Sequence, residues 1–369
     1  MKTVRRLLYR DIASAVAFVA VAFLSLFFFI DFVDELGSIG KQGYTAVHAV
    51  VSCLLEVPAH FYELFPIAVL IGCIFSLARM AQSSEYTILR TGGLGPGRAL
   101  QLLTALGLVF AVCTFVVGDY VAPASEREAV LLKARFNGGL KLGRAGAWLK
   151  DSRQTPDGER SYSVNVGQTA PDGNLQAIRI YEFDDQGRLL SRLQADQGRV
   201  AQDGIWHLAK VQLTRWPSEQ TPDAGVKDQQ LPTYEWASSL RASVVAAAVL
   251  PASTMSTIDL WRYASHLNEH EQAAGRYAIQ FWKKALYPFA CLVMMALALP
   301  FAYLHARAGG ISLKVFGGIL LGISFVLLNN VAGHLGLLHG WTPWAVAAAP
   351  SLLYLLLSLA AFAWLVRYR

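Results

Sequence analysis

Glu85 stands in the stretch Ala81-Gln-Ser-Ser-Glu-Tyr-Thr-Ile-Leu-Arg90, where an acid is followed by an aromatic residue and, five positions on, by a base. A carboxylate held on a short helix can accept two parallel hydrogen bonds from an arginine of a second protein, a charge-assisted contact that fixes orientation as well as strength. Ser83 or Ser84 can cap such a helix, Glu85 complements its positive end, and Gly92-Gly93 stops it after about two turns. Tyr86, Ile88 and Leu89 then give it an apolar side. The segment is either a plain surface element or a docking knob, and in the second case Glu85 is a coupling residue.

Two other groupings invite chemistry and carry less. His266-x-x-x-His270 has helical i, i+4 spacing with Glu269 and Glu271 beside it, and paired imidazoles suit zinc. No third ligand follows and the order H-E-x-x-H is absent, so the polar face of an exposed helix is expected and no metal. The run Thr91-Gly-Gly-Leu-Gly-Pro-Gly97 lacks the Lys-Ser/Thr of a phosphate loop. It reads as a breaker, with Gly92 capping one helix and Pro96 near the start of the next. No G-x-S-x-G elbow and no C-x-x-C pair occurs. The chain is therefore expected to be a non-enzyme that binds no cofactor of its own, and any uphill work it does needs energy from another subunit.

The elements that position these residues follow from where the charges lie. Residues 124–284 carry 20 Lys/Arg and 18 Asp/Glu, the density of a soluble domain, while the other 208 residues carry only 12 and 8. A bilayer needs about 20 apolar residues per helix. Six segments qualify: 12–30, 61–78, 99–117, 285–304, 315–331 and 345–366, the second being interrupted at one end by Glu63 and Pro66. The first is too long, and too closely followed by acids, for a cleaved signal.

Basic residues flank these spans almost wholly on one side, Lys283 and Lys284 at the end of the large insert apart. Lys2, Arg5, Arg6, Arg10, Arg79, Arg90, Arg98, Arg307, Lys314, Arg367 and Arg369 share it, whereas the other side holds Lys41 against Asp31, Asp34, Glu35, Glu56, Glu63 and Asp119. Both termini are expected in the cytoplasm and the insert outside. The formal charge of +6 is thus mostly a topology signal and not a nucleic-acid footprint. Cys53, Cys73, Cys113 and Cys291 lie in or near apolar segments and the insert has none, so it must fold on its own core.

Strands are expected over 161–166, 177–183, 188–194, 198–200, 205–213 and 234–240, separated by turns such as Asp184-Asp185-Gln186-Gly187. A sandwich, a jelly roll and an open barrel all fit. After Pro251 the period becomes helical, with Leu260, Tyr263, Ala264 and Leu267 on one face. The fold class is an α-helical membrane protein with six transmembrane helices and an inserted all-β domain. Its parts are 1–123, with the coupling segment at about 81–91; the insert 124–257; and 258–369 with a lead-in helix.

Leu64-Phe65-Pro66-Ile-Ala-Val-Leu-Ile-Gly72, Met80-Ala-Gln-Ser-Ser-Glu85 and Thr91-Gly92-Gly93 resemble the LptF/LptG permeases of the lipopolysaccharide exporter. Ala274-Gly-Arg-Tyr277, Trp282, Met294-Met295 and Gly322-Ile-Ser-Phe325 are more similar to the LptG branch than to the LptF branch. The resemblance covers nearly the whole chain. It implies one half of a pseudo-symmetric permease in the inner membrane of a Gram-negative bacterium, paired with an LptF-like subunit. It also implies a dimeric LptB-like ATPase that uses ATP and Mg, an LptC-like single-span protein, a periplasmic LptA-like bridge, and a jellyroll-like periplasmic domain. By the same resemblance Glu85, Tyr86 and Arg90 belong to the helix that docks on the ATPase.

Lipopolysaccharide has several acyl chains and an anionic head, so its extractor needs an apolar cavity rimmed by cations. Lys41, Arg127, Lys133 and Arg135 are the head-group candidates, with Phe65 and Phe325 as apolar wall. Each has a plain alternative as a solvated charge or a packing ring. Gly318-x-x-x-Gly322 permits close helix approach, at a subunit seam or within the chain. Members of the family place lysines just after the first span, where this sequence has Asp31, Asp34, Glu35, Gly37 and Ser38. Head-group contacts are therefore expected to shift towards the third-span side or the partner subunit. The competing expectations are the LptF-type half of the same permease and a scaffold that transmits force without passing a substrate.

Overall fold

The computed structural model describes residues 2–92, 95–136, 140–141, 146–155, 158–169, 174–201, 204–217, 225–238, 240, 245, 251–269, 274–303 and 310–367. The chain forms two compact units, one of residues 1–37, 53–125 and 278–369 and the other of 38–52 and 126–277.

The helices are α1 (Lys2–Leu36), α2 (Ala46–Gln82), α3 (Glu85–Thr91), α4 (Pro96–Val116) and α5 (Ala122–Phe136), then α6 (Thr257–Glu269), α7 (Gly275–Tyr303), α8 (Ile311–Leu338) and α9 (Pro343–Arg367). Val117–Val121 is a π-helical turn joining α4 to α5, so the two run on as one long helix. Among the described residues, six helices are long and apolar enough to cross a membrane. In α2, 78% of the most apolar stretch is buried, against 11% in α1, which makes α2 the centre of the helical unit and leaves Phe18, Val21 and Phe29 of α1 facing outward.

Glu63 and Pro66 do not end α2, which continues through Pro66 and Pro58 back to Ala46. In a membrane helix the backbone groups freed by proline are met by neighbours, so the break that proline makes in water does not follow. Glycines set the closest approaches. A Cβ at Gly72 would lie 2.6 Å from the backbone nitrogen of Val16 on α1, and those at Gly318 and Gly322 would run into Ile74 and Ile67 of α2. The Gly318-x-x-x-Gly322 stripe therefore packs α8 onto α2 within the chain.

The second unit holds one antiparallel sheet of β1 (Leu140–Lys141), β2 (Ala147–Thr155), β3 (Gly158–Thr169), β4 (Leu175–Phe183), β5 (Leu189–Val200), β6 (Ile205–Arg215) and β7 (Lys227–Ala237). From β3 to β7 each strand pairs with the next, and β1 and β2 share the outer edge of β3. The runs 188–194 and 198–200 are a single strand, β5. β7 begins seven residues before the expected 234, because the polar Lys227-Asp-Gln-Gln230 of this edge strand lacks apolar alternation.

A crease crosses this sheet. The pairs on either side of it place Gly146 opposite Gly167, Gly167 opposite Ala177, Ala177 opposite Asp196, Asp196 opposite Lys210 and Lys210 opposite Pro232. Gly146, Ala177 and Lys210 have φ of +68°, +53° and +53°. Each left-handed residue reverses the in-and-out phase of its strand. Thus Ile178, Ala195 and Val211 are buried on one side of the line and Leu175, Gly198 and Leu208 on the other, with both rows on the same face.

The sheet folds along this line until its two leaves meet. The phenol ring of Tyr162 on β3 lies 5.6 Å from the Trp236 ring on β7, edge to face. Arg153 of β2 donates to the Ala237 carbonyl, and Ser238 Oγ donates to Asp151 at 2.7 Å. Trp206, wholly buried, packs against Trp236 between the leaves. One sheet thus supplies both walls of an apolar trough, closed where its leaves meet: a single folded antiparallel sheet and not a sandwich of two.

Candidate functional site

The segment 81–91 divides at its serines. Ala81 and Gln82 finish α2, Ser84 turns the chain at φ +62°, and α3 keeps only seven residues. The Ile88 amide bonds the Ser84 carbonyl at 3.0 Å, and Gly92 closes the helix onto Ile88 at 2.9 Å. Pro96 opens α4 at its first turn after Gly95, as the breaker pattern requires. Leu89 packs against the helical core while Glu85 and Ile88 are exposed. Tyr86 and Arg90 lie on the same helix, their side chains outside the described residues.

Just before this joint, Asp11 of α1 accepts hydrogen bonds from Arg79 and Ser76 of α2. The guanidinium also lies over the Phe75 ring, 6.0 Å from its centre. The two residues Ser83 and Ser84 thus join α3 to α2, and this pair ties α2 to α1. A cleft of about 370 Å³ opens at the pair, which lines it together with the mostly apolar walls of Phe18, Ile71, Phe75 and Val315.

The basic candidates are only partly gathered. Arg127, Lys133 and Arg135 ride on α5, and at about 100° per residue Lys133 points away from the side shared by the other two. Lys41 is exposed in the turn after α1. That turn is drawn to the end of α5 by an aromatic knot: the rings of Tyr44 and His48 lie 5.3 and 4.5 Å from Phe136. Lys41 and Arg135, three residues and one residue from this knot, thus belong to one neighbourhood that sequence spacing gave no sign of.

Phe65 and Phe325 are both buried in the helical core. Phe65 stacks on Phe61 at 4.5 Å and meets Phe110 edge-on, and Phe325 meets Tyr354 edge-on. In this conformation they are packing rings. Of the histidine pair, His266 falls on α6 with its side chain outside the described residues, and His270 lies outside them altogether.

Six apolar helices, a two-residue joint to an exposed short helix, and a trough made from one creased sheet together form an arrangement that sequence comparison can test. The pattern of the lipopolysaccharide export system permease family LptF/LptG matches residues 6–366. The chain belongs to that family. It is 29% identical to the lipopolysaccharide export system permease protein LptG of Escherichia coli (strain K12) over 339 residues, 91% of each chain. It is 27% identical to the LptG of Haemophilus influenzae over 364 residues, 97% of each. As a member of the LptF/LptG family the chain is a multi-pass inner-membrane permease of lipopolysaccharide export. The trough, the cleft beside Phe75 and the exposed face of α3 are its candidate working surfaces.

Proposed function

We propose that this chain is the LptG-type half of the permease: it takes lipopolysaccharide from the outer leaflet of the inner membrane and delivers the acyl chains into the creased β trough. The termini and α3 face the cytoplasm and the β unit faces the periplasm, in line with the eleven basic residues on one side of the spans. The chain is non-catalytic. A dimeric LptB-like ATPase, using ATP and Mg, docks on α3 through Glu85, Tyr86 and Arg90. An LptF-like subunit completes the cavity, an LptC-like span associates with it, and an LptA-like bridge receives the lipid. The head group meets Lys41, Arg127, Lys133 and Arg135 or the partner subunit.

The single observation that carries this reading is the crease, which gives one sheet two facing apolar walls and so a path for acyl chains out of water. A photocrosslinking residue at Leu193, inside the trough, is expected to capture lipopolysaccharide only when the ATPase turns over. Capture of protein alone would favour the scaffold that transmits force without passing a substrate. Glu85→Ala is expected to leave folding intact and to weaken ATPase copurification or uncouple hydrolysis from release. Normal copurification together with normal lipid release would overturn the role of α3.

A further inference from the structure

Among the described residues, Asp31 on α1 and Glu56 and His60 on α2 bring three potential metal-ligand atoms within 4.8 Å of one another. Glu56 and His60 are four residues apart, so one face of α2 presents both. Asp31 comes from α1, its Oδ2 2.7 Å from His60 Nε2. The ring of Phe27 lies 5.1 Å from the imidazole and holds it on its other side. All three groups are half-buried, so they are shielded from bulk water yet open to an ion.

A first-row divalent cation takes carboxylate oxygen and imidazole nitrogen at about 2.0–2.2 Å, which sets its ligands roughly 3–4 Å apart. Here the Asp31–His60 pair is 2.7 Å apart and all three atoms lie within 4.8 Å, so side-chain shifts of about 1 Å bring them to that spacing. Two carboxylates and a neutral imidazole carry −2, which the ion cancels. The mixed nitrogen and oxygen set suits zinc over the all-oxygen preference of calcium and magnesium. Asp34 and Glu35, in the next turn of α1, add negative potential that draws a cation to this end.

We propose that Asp31, Glu56 and His60 form a zinc-type divalent cation site tying α1 to α2, with a fourth position left for an outside oxygen. The expectation of no metal rested on His266 and His270; this site uses a histidine that helical spacing pairs with Glu56 and Glu63 on its own helix, neither spacing being a metal motif by itself. Its third ligand is 25 residues back, on another helix. A bound cation puts positive charge at the end of α1 where the sequence has acids and, a few residues further on, Lys41 alone. The site stands on geometry and does not depend on the export reading.

The test is a titration of the full-length chain, purified in detergent and stripped with chelator, using zinc by calorimetry and cobalt(II) by its visible absorption. One ion per chain is expected, with affinity at least tenfold weaker in His60→Gln and in Glu56→Gln and unchanged in Glu159→Gln, an exposed acid on β3. Cobalt absorption should lose its imidazole signature in His60→Gln even where a weaker ion is retained. No stoichiometric binding by the parent chain, which leaves an imidazole–carboxylate ion pair only, would overturn the site. So would equal binding by the His60 and Glu56 variants when all elute and melt as the parent does.

Discussion

Arg79, in the last turn of α2, binds the carboxylate of Asp11, 68 residues earlier on α1. The two partners are not equal. Arg79 is half-exposed and keeps its hydration when the pair breaks, whereas Ser76, the other donor to Asp11, is 1% exposed. Asp11→Ala therefore strands a buried hydroxyl and is expected to cost about 1–3 kcal/mol. Arg79→Ala breaks a screened surface pair and should cost less than about 1 kcal/mol. Thermal unfolding in detergent, with the double variant to close the cycle, measures both. Equal losses would show that the carboxylate works through Arg79 alone.

The same two helices touch most closely at Gly72. A methyl group there would sit against the Val16 backbone, which has no side-chain freedom to yield, so Gly72→Ala must move α1. Overpacking of this kind costs about 1–3 kcal/mol. Gly97, in the first turn of α4, has open space where its Cβ would be, and Gly97→Ala should be neutral or stabilise by up to about 1 kcal/mol. If both changes melt alike, the α1–α2 contact is loose and the Gly72 packing plays no part in stability.

The crease makes a prediction of opposite sign at neighbouring positions. Lys210 holds a left-handed conformation that costs a residue with a Cβ about 1–2 kcal/mol. Its side chain is exposed and pairs only at 3.9 Å with the equally exposed Asp196. Lys210→Gly is therefore expected to stabilise the β unit by up to about 1 kcal/mol, the strain relief being offset in part by lost chain entropy. Gly198→Val should do the reverse, because its Cβ would lie 2.5 Å from Ile178 and 2.6 Å from Leu208 inside the trough. Chemical denaturation of the pair of variants reads both signs, and a destabilised Lys210→Gly would refute the strain.

Much of this architecture was legible because it rests on composition and period. Six apolar stretches of bilayer length mark the membrane helices, and Gly92 and Pro96 mark the break between α3 and α4. The crease was visible only as an error: the gap between 194 and 198 that splits β5 in two on paper is where the strand reverses phase at Asp196. Alternation identifies a strand on the assumption that the phase holds, so a residue at which the phase reverses looks like an end. β2 was missed because Lys150-Asp-Ser-Arg-Gln-Thr155 is polar on both faces, and Asp151 is buried where Ser238 donates to it from the opposite leaf. The candidate residues fared by distance. Glu85 depends on local sequence, whereas Lys41 meets the end of α5 through Tyr44 and Phe136, a long-range contact that no spacing encodes.

The closure of the two leaves has a pH dependence of fixed sign. Tyr162 lies under Trp236, and burial first, then the adjacent Glu182 carboxylate, raise its phenol above the ordinary value of 10.0. On α6, Tyr263 is raised further by burial and by Tyr277, whose ring is 4.6 Å away. A raised folded-state pKa means that the folded chain holds its proton where the unfolded chain has lost it. The linked stability is therefore fully present below about pH 10 and is lost as pH climbs through the folded-state values. Denaturant midpoints should stay level from neutral pH to the unfolded phenol range and fall above it. Tyr162→Phe removes one of these protons and should flatten the fall, while Tyr181→Phe, outside the trough and stacked on the exposed Trp148, should not. An unchanged slope in Tyr162→Phe would mean that the leaves part before the phenol titrates, and that Tyr162 does not help hold the trough shut.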